Sequence, residues 1–458
     1  MKPVRNLLLP VLIILFFSCR KESFTESSSS FLRSSADSIH FDTVFTSTGS
    51  VSQAFTIINN HDKGIHISSV KLAGGASSPF KINVDGVAGP EVKNIDVYAN
   101  DSIYIFTTVS IDPSSLQLPF IVRDSIEIDY NGNHKWVQLD AYGRNAHFLK
   151  NHTVGSTETW NNDLPYVILG HLTVDTNALL TINQGCKIYI HADAPFIVHG
   201  TLQVNGQKED SSRIVFAGDR LDIPYKDYPA SYPGLLFTEP SRNNVMSYAF
   251  VRNAYQGIVV TEPSPGTKLT LNQVVIDNAY DAGLIGIHTS ISANNVLISN
   301  CGKDILLVKG GDYKFTHCTG VANSNNYIQH RDPVMIVTDY LNGATTSLNA
   351  LFRNCIFWGD NNGLVPDEVV VQRQGTSGSV LFDHVLWRVQ TNPAASITGA
   401  INNQYPLFDS TNTNFYRRYG LTESSPAKNA GVPTTVNTDL DGHTRPVGQP
   451  DLGAFEKQ

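Results

Sequence analysis

A short unit that recurs through the second half of the chain constrains the fold more than any other feature. The unit consists of an apolar residue, a variable residue, Asn or His, and a residue that is usually small. Six copies occur, at 251–254, 276–279, 298–301, 315–318, 352–355 and 382–385. The first three copies start 25 and 22 residues apart, and the later spacing varies, as in a solenoid whose coils carry loops of unequal length.

This unit predicts a parallel β-solenoid, because the apolar segments between the copies are short and no helical period follows them. Equivalent positions of successive coils stack ~4.8 Å apart in such a fold. Asn side chains at a corner then hydrogen-bond to each other and to the backbone along the stack. We therefore expect Asn253, Asn278 and Asn300 to lie one above another, in a solenoid of on the order of ten coils.

Three stretches of this region resemble exported right-handed parallel β-helix lipoproteins. Segment 170–216 is similar to the opening coils of that group, 218–237 to a recurrent segment, and 439–456 to a closing motif. The resemblance implies a right-handed single-stranded β-helix of the pectin lyase-like kind over 147–436, with a C-terminal capping tail over 437–458. The group is largely uncharacterised, so the resemblance implies little about function.

Residues 40–146 predict a separate antiparallel β-sandwich. Apolar and polar residues alternate with a period of two in 125–130 and 137–141, and the Asn-Gly-Asn sequence between them is typical of a hairpin turn. Short strands without helical periodicity favour a sandwich. Segments 41–44, 55–60, 78–80 and 139–143 resemble immunoglobulin-like modules of bacterial surface proteins, which implies a spacer or binding module. The predicted fold is thus all-β throughout.

The N-terminus predicts export and lipid attachment. Lys2 and Arg5 precede an apolar run over 7–17, which is too short to span a bilayer comfortably and is typical of a signal peptide. The following Ser18-Cys19 resembles a bacterial lipobox, which implies that residues 1–18 are removed and Cys19 is lipidated. The polar stretch 19–39 is predicted to be a flexible tether. An ordinary signal with an incidental cysteine is the alternative.

The charge balance excludes one class of partner. The chain has 33 Lys and Arg against 41 Asp and Glu, a formal net charge of −8. An acidic chain lacks the basic surface that nucleic-acid binding requires. We expect a lipoprotein held at a membrane by its lipid anchor, on the outer membrane of a Gram-negative bacterium, with no nucleic-acid partner.

Two sets of residues are candidates for catalysis. β-Helix proteins include polysaccharide lyases and glycoside hydrolases, which need a base beside a neutralising cation or a pair of carboxylates. Asp281, Lys303 and Asp304 fall in equivalent turns of successive units, and His330 and Arg331 lie in a loop nearby. Neighbouring aspartates oppose the lowered pKa that Lys303 would need as a base, which favours His330 in that role. The alternative is that these are ordinary polar turn residues.

Other residues suggest binding without chemistry. Tyr225, Tyr228 and Tyr232 lie in a proline-rich insertion and are candidates for stacking on sugar rings, unless they pack against the solenoid. The acidic residues around Gly442 permit Ca²⁺, although an arginine that pairs with an acid explains them as well. Apart from that calcium alternative, no metal or other cofactor is predicted.

The sequence favours a binding function over a catalytic one. No tight cluster of acids and bases and no nucleotide, serine-hydrolase or zincin motif is present. We therefore expect a non-catalytic binding or scaffold lipoprotein for glycans or surface proteins. A polysaccharide lyase or glycosidase and an adhesin remain as alternatives.

Overall fold

The computed structural model describes residues 22–45, 50–111, 120–360 and 363–458. The predicted signal peptide 1–18 and the lipidation site Cys19 lie outside the described residues. The described chain divides into two compact units, Met1–Asn145 and Ala146–Gln458. No helix in the described part of the chain is long and apolar enough to cross a membrane.

The first unit consists of two β-sheets that share one hydrophobic core. Alternating apolar residues such as Ile126 and Ile128 are fully buried between the sheets. Most pairings are antiparallel, although Phe24–Thr25 and Ser38–Phe45 pair in parallel with their neighbours. The six-stranded sheet contains Phe24–Thr25, Ser38–Phe45, Gly64–Leu72, Glu91–Val97, Phe120–Tyr130 and Asn133–Arg144, and the five-stranded sheet contains Arg33–Ser34, Gln53–Ile58, Phe80–Val84, Val87–Gly89 and Ser102–Val109.

The segment predicted to be a flexible tether is structured where it is described. Phe24–Thr25 pairs with Gly64–Leu72, and Arg33–Ser34 pairs with Gln53–Ile58. Leu32, only 3% exposed, lies in the core of the unit. The tether prediction for 19–39 is therefore wrong from residue 22 onward, because scattered apolar residues in a polar stretch suffice to anchor short edge strands.

The second unit is dominated by one sheet of 24 strands, nearly all of them paired in parallel across successive coils. This confirms an all-β fold with a large parallel sheet. The strands are His147–Val154, Thr157–Trp160, Tyr166–Val174, Leu179–Asn183, Lys187–Ile190, Phe196–Val198, Thr201–Asn205, Ile214–Gly218, Leu235–Phe237, Asn244–Ser247, Ala249–Arg252, Gln256–Thr261, Leu269–Asn272, Val275–Asp277, Ala282–Asn294, Leu297–Ser299, Lys303–Thr316, Thr319–Ala322, Met335–Thr338, Leu348–Gly359, Val369–Gln372, Val380–Trp387, Ser396–Thr398 and Ile401–Asn402.

Each complete coil passes through three stacks of strands, which we call sheets 1, 2 and 3. In one coil these are Ala249–Arg252, Gln256–Thr261 and Leu269–Asn272, after which Val275–Asp277 returns to sheet 1 and pairs with the first strand. Among the described residues the pairings give eleven strands in sheet 1, nine in sheet 2 and ten in sheet 3, which agrees with the expected number of coils. Inward side chains of all three sheets form a continuous apolar core that includes the free, buried cysteines 186, 301, 318 and 355.

The repeated Asn or His adopts the left-handed backbone conformation that the corner requires. The backbone φ is +63° at Asn253, +59° at Asn278 and +56° at Asn300, a region that Asn tolerates better than most residues. The amide of Asn278 donates to Oδ1 of Asn253 at 2.8 Å, whereas Asn300 donates to Asp277 instead. The predicted stacking therefore holds between the first two members and is modified at the third.

The six copies of the unit occupy two different corners, which the sequence did not distinguish. Asn253, Asn278 and Asn300 follow strands of sheet 1 and lead into sheet 2; we call them the asparagine row. His317 and Asn354 precede strands of sheet 1. Both corners need a residue with positive φ followed by a small or apolar buried one, so the same four-residue pattern can arise at either corner.

The C-terminal tail was predicted to cap the end of the solenoid. It lies instead along the outside of sheet 1. Phe250, Val275, Leu297 and Val321 project outward from successive strands and pack against a set of C-terminal side chains, namely Tyr416, Tyr419, Leu440, Ala454 and Phe455. Strands that are apolar on both faces must be covered on both faces. The cap prediction for 437–458 is thus wrong in position, because the exposed apolar surface lies on the flank.

Candidate functional site

Two insertions project from the corner between sheets 1 and 2. We call 219–234 the tyrosine loop and 323–334 the second loop; the intervening coils turn tightly at the asparagine row. The loops meet over Asn278, where the rings of Tyr228 and Tyr327 lie with their centroids 4.8 Å apart. Two loops that come from separate coils therefore form one local structure.

The asparagine row holds the tyrosine loop in place. Asn253 donates its side-chain amide to the carbonyl oxygen of Lys226 at 2.7 Å, and Asn278 donates to that of Asp227 at 3.0 Å. On the loop itself, the guanidinium carbon of Arg220 lies 3.9 Å from the ring centroid of Tyr225. These contacts fix Tyr225, which is 43% exposed, and the half-buried Tyr228 at the surface.

A buried ionic network holds the second loop. His330 is 1% exposed; its Nδ1 donates to Asp360 at 2.7 Å and its Nε2 to the buried Glu368 at 3.0 Å. Burial alone would lower the pKa of His330, but the hydrogen bonds to Glu368 and Asp360 outweigh it and raise that pKa to about 9. Arg388 forms a further ion pair with Glu368. His330 is therefore a charged anchor of the loop.

Between the second loop and the coils lies a cleft of about 450 Å³. Three exposed aromatic side chains line it: Tyr255, 47% exposed, Tyr280, 51%, and Tyr327, 45%. The rings of Tyr255 and Tyr280 are 5.9 Å apart with their planes 25° from parallel. They form one aromatic surface that spans two coils.

Polar groups occupy the other side of the cleft. The ammonium nitrogen of Lys303 lies 3.5 Å from Oδ1 of Asp281 and 3.7 Å from Oδ2 of Asp332. Gln256 donates to the second oxygen of Asp281 at 2.7 Å. Arg331 also lines the cleft and donates through Nε to Gln329 at 2.9 Å. The site thus combines exposed aromatic rings with hydrogen-bonding groups of both signs.

Of the five predicted catalytic residues, the structure places three at the cleft, namely Asp281, Lys303 and Arg331. Asp304 is fully buried, since it follows Lys303 in the same strand and successive side chains point to opposite faces. Burial raises the pKa of Asp304 well above its usual range. Neither Asp304 nor His330 faces the cleft, so their assignment to a catalytic face is wrong.

Of the three tyrosines predicted to stack on sugars, two lie at the surface and one is buried. Tyr225 and Tyr228 lie at the surface beside Tyr327, with their own ring centroids 5.1 Å apart. Tyr232 is 1% exposed within the solenoid core, and burial raises its pKa above the usual range. Its inclusion as a ligand-binding residue is wrong, because the loop re-enters the solenoid there before the strand Leu235–Phe237.

Sequence reasoning missed Tyr255, Tyr280 and Tyr327. A signal for the first two was present, since the repeated unit reads Asn-Ala-Tyr at 253–255 and again at 278–280. A residue that comes directly after the buried small residue of a corner points outward, so equal residues there predict a surface row. Tyr327 carries no such signal, because its position depends on the conformation of an irregular loop.

The acidic residues of the tail fix its conformation through hydrogen bonds and ion pairs within the protein. Asp439 accepts hydrogen bonds from the backbone nitrogens of Asp441 and His443, and Asp451 from those of Asn429 and Lys457. Asp441 pairs with Arg213 and Arg417. These partners correspond to the alternative in which the acids fasten the tail, and the calcium prediction gains no support from them.

A group of possible metal ligands lies in the first unit, where Glu127, Asp129 and His134 bring their side-chain atoms within 4.8 Å of one another. The ammonium nitrogen of Lys71 lies 3.0 Å from Glu127 and 3.5 Å from Asp129. The ammonium group of Lys71 already lies between these two carboxylates, where it would oppose a metal cation, so we assign no site there.

Comparisons with known proteins do not identify a family. No protein-family model and no curated protein matches the chain. Among solved structures, the catalytic unit of a GH87 α-1,3-glucanase from Streptomyces thermodiastaticus aligns over 77% of this chain and 89% of that chain, with 9% identity and a TM-score of 0.23. A family 123 glycoside hydrolase from Clostridium perfringens aligns over 27% of this chain and 26% of that one, with 12% identity and a TM-score of 0.20.

The chain also aligns with a structure of the Salmonella enterica SafA pilin in complex with the SafB chaperone. The alignment covers 27% of this chain and 56% of that chain, at 14% identity and a TM-score of 0.17. At scores this low, none of the three alignments assigns a fold family or an activity, and the functional argument depends on the cleft itself.

Proposed function

We propose that the chain is a carbohydrate-binding protein and that the cleft beside the second loop is its binding site. The observation that carries the proposal is the group of exposed tyrosines, Tyr255, Tyr280 and Tyr327, on the walls of one cleft. Aromatic rings offer flat apolar faces to the C–H faces of sugars, while their hydroxyl groups remain in water.

The polar side of the cleft complements sugar hydroxyl groups. Asp281 and Asp332 offer acceptors, and Lys303 offers donors, within a few ångströms of the aromatic wall. Ligand sites generally combine apolar walls with a few polar groups that fix orientation. Both kinds of group project from a strand end or a loop whose backbone is held by hydrogen bonds, so the site is pre-formed and little ordering opposes binding.

Binding is favoured over hydrolysis by the position of Lys303. A glycosidase places the scissile bond between two carboxyl groups. Here the ammonium group of Lys303 lies near both Asp281 and Asp332, in the space that such a bond would require. His330, the other candidate base, is buried and bonded through both ring nitrogens, so it has no free nitrogen for a substrate.

The proposal is tested by a glycan array followed by isothermal titration calorimetry of the best neutral and acidic glycans. We expect binding without turnover, and about a tenfold or greater loss of affinity when Tyr255 and Tyr280 are both replaced by Ala, since each aromatic contact contributes about 0.5–1.5 kcal/mol. Release of shortened or unsaturated sugars would instead establish an enzyme.

The first unit supplies a matched control. Tyr104 is 55% exposed and lies against Phe106, with ring centroids 6.0 Å apart and planes 22° from parallel. Tyr104→Ala therefore removes an equally exposed tyrosine from an equivalent pair outside the cleft. Affinity that falls equally in this variant and in the cleft variant would contradict the assignment of the site.

We further propose that the protein is exported and anchored through Cys19 as an outer-membrane lipoprotein, with a first unit of immunoglobulin-like topology as a spacer and a right-handed β-helix as the binding body. The basic start, the apolar run and Ser18-Cys19 support export and acylation. Mass spectrometry of membrane-extracted protein tests this, since an unacylated N-terminus or an intact signal would exclude it.

A further inference from the structure

We propose that the cleft takes an unbranched, extended chain of neutral sugars that runs parallel to the solenoid axis. Sugar rings lie on Tyr255 and Tyr280, and the next unit lies over Gly302. This inference rests on the proposed carbohydrate binding and specifies which carbohydrate is bound and how it lies.

The direction of the chain follows from the repeat. Tyr255, Tyr280 and Gly302 occupy the same position in three successive coils, each two residues after a member of the asparagine row. Equivalent positions stack along the solenoid axis at ~4.8 Å per coil, and the two rings are 5.9 Å apart. One pyranose unit lengthens an extended chain by a similar distance, so successive sugars meet successive coils.

Gly302 makes a gap in this aromatic row. A Cβ atom there would lie 2.5 Å from the carbonyl oxygens of both Tyr280 and Asp281, so a side chain does not fit without a shift of the backbone. The surface is therefore open at the third coil, and Asp281 and Lys303 border the opening. A sugar unit at this position has no aromatic ring beneath it and forms hydrogen bonds with Asp281 and Lys303 instead.

The charges at the gap favour a neutral sugar. Two carboxylates, Asp281 and Asp332, flank the ammonium group of Lys303. Arg331 is the second cation that lines the cleft, so the two carboxylates and the two cations balance. Hydroxyl groups can donate to the carboxylates and accept from the ammonium group. A uronate at this position would bring a third carboxylate to a cleft with no excess of cations, beside Asp281, and like charges at short range repel.

The length of the site follows from its far end. Beyond Gly302, the next coil contributes the second loop, whose Asp332 lies beside Lys303. That loop folds back over Asn278, so Tyr327 lies against the coils of the row and not beyond them. The row therefore spans three coils, which correspond to about three sugar units at ~4.8 Å per coil. A branch on any of these units would meet the second loop on one side.

The experiment is calorimetry with linear cello-, manno- and xylo-oligosaccharides of one to six units and with oligogalacturonates of the same lengths. For at least one neutral series we expect the association constant to rise about two- to tenfold with each unit up to about three and then to level off. In Tyr255→Ala we expect the plateau one unit earlier, whereas Tyr104→Ala leaves the series unchanged. Oligogalacturonates should bind more weakly than neutral chains of equal length.

The outcomes separate this inference from the proposed function. Affinity that is complete with a single sugar, tighter binding of the acidic series, or binding only of sugars outside the neutral linear series would overturn the extended neutral chain and leave carbohydrate binding intact. Failure of every glycan on the array and in the titrations would overturn both.

Discussion

The two corners that flank sheet 1 use the same backbone conformation for different purposes. The asparagine row supports the exposed tyrosine loop and leaves a cleft beside it. The other corner carries what we call the tail-facing row, Gln273, Asn295, His317 and Asn354, all with φ between +51° and +56°. Each member hydrogen-bonds to the C-terminal segment, at Thr438, Thr438, Asp451 and Val432 respectively.

The difference between the rows is one of burial. Asn295, His317 and Asn354 are fully buried under the tail, whereas Asn278 and Asn300 of the asparagine row are partly exposed and only Asn253 is buried. Buried polar groups cost more when they lose a partner than exposed ones do. The comparison therefore predicts that damage to the tail-facing row lowers stability, and that damage at Asn278 changes the cleft at a small cost in stability.

Deletion of residues 437–458 should have the largest effect. It uncovers the outward apolar residues of sheet 1 and removes Leu440, Leu452 and Phe455, each of which contributes about 1.5–3 kcal/mol when buried. The combined loss is comparable with the ~5–15 kcal/mol stability of a typical domain. We expect aggregation or a non-cooperative melt, measured by light scattering and differential scanning calorimetry; a monomeric protein with an unchanged melt would refute the role of the tail.

A single substitution localises that effect. Arg445 is 2% exposed and bonds to the buried Glu456 at 2.8 Å and to Asn295 at 2.8 Å. Arg445→Met leaves Glu456 buried without its cation, which should cost about 3–5 kcal/mol. Arg331→Met, in the exposed cleft, is the matched control and should change the free energy of unfolding by less than about 0.5 kcal/mol.

The pKa values of the two buried histidines, His317 and His330, are shifted in opposite directions, so their effects on stability should depend on pH in opposite ways. His317 in the tail-facing row has a pKa lowered from 6.5 to about 2 by burial and by Arg445, whereas the pKa of His330 is raised to about 9. The stability that His330 provides is complete below pH 6.5 and is lost as the pH rises toward 9. His317, neutral when folded, reduces stability as the pH falls below 6.5, because only the unfolded chain gains its proton.

Denaturant unfolding of the wild type, His330→Gln and His317→Asn between pH 5 and 9 measures both effects. We expect the His330→Gln deficit to shrink by about 2–3 kcal/mol between pH 6.5 and 9. The His317→Asn deficit should shrink instead as the pH falls from 6.5 to 5; Asn keeps the positive φ of this corner. Deficits that are independent of pH would show that the charge states of the two histidines are wrongly assigned.

The smallest stability effect should come from Asn278→Gly. Glycine retains the positive φ, so the variant removes only the side-chain hydrogen bonds to Asn253, Asp227 and Asn325, the last of them long at 3.5 Å. It should cost about 1 kcal/mol. Faster backbone hydrogen exchange in 224–229 should accompany it. Asn295→Gly, the matched change in the tail-facing row, should cost more; equal costs would remove the distinction between the rows.

The repeat predicted the solenoid because a periodic constraint of this kind is visible in the residues themselves. Outward apolar residues such as Val275 and Leu297 belong to continuous apolar runs in the sequence. Such runs indicate strands that are buried on both faces. What covers them did not follow, since Arg213 and Leu440, which are hydrogen-bonded at 2.7 Å, are 227 residues apart in sequence. Contacts at that separation leave no local pattern.

The candidate site was predictable in part for the same reason. Asp281 and Lys303 occupy turns of the repeat, and the structure places both beside the cleft, while Tyr225 and Tyr228 lie on the insertion. The inward side of Asp304 follows from strand alternation once the strand is known to begin at Lys303. The burial of His330 does not, because it depends on Glu368 and Asp360 in another coil.

The flank position of the tail has a consequence for the order in which the chain folds during synthesis. Coils of a solenoid need only their neighbours and can form as soon as they emerge. The flank of sheet 1 from Arg213 onward, however, stays uncovered until residues 437–458 have been synthesised and Leu440, Ala454 and Phe455 dock. For that interval the nascent protein presents a long apolar strip to its surroundings. The synthesis of residues 437–458 thus determines when this apolar surface is protected from aggregation.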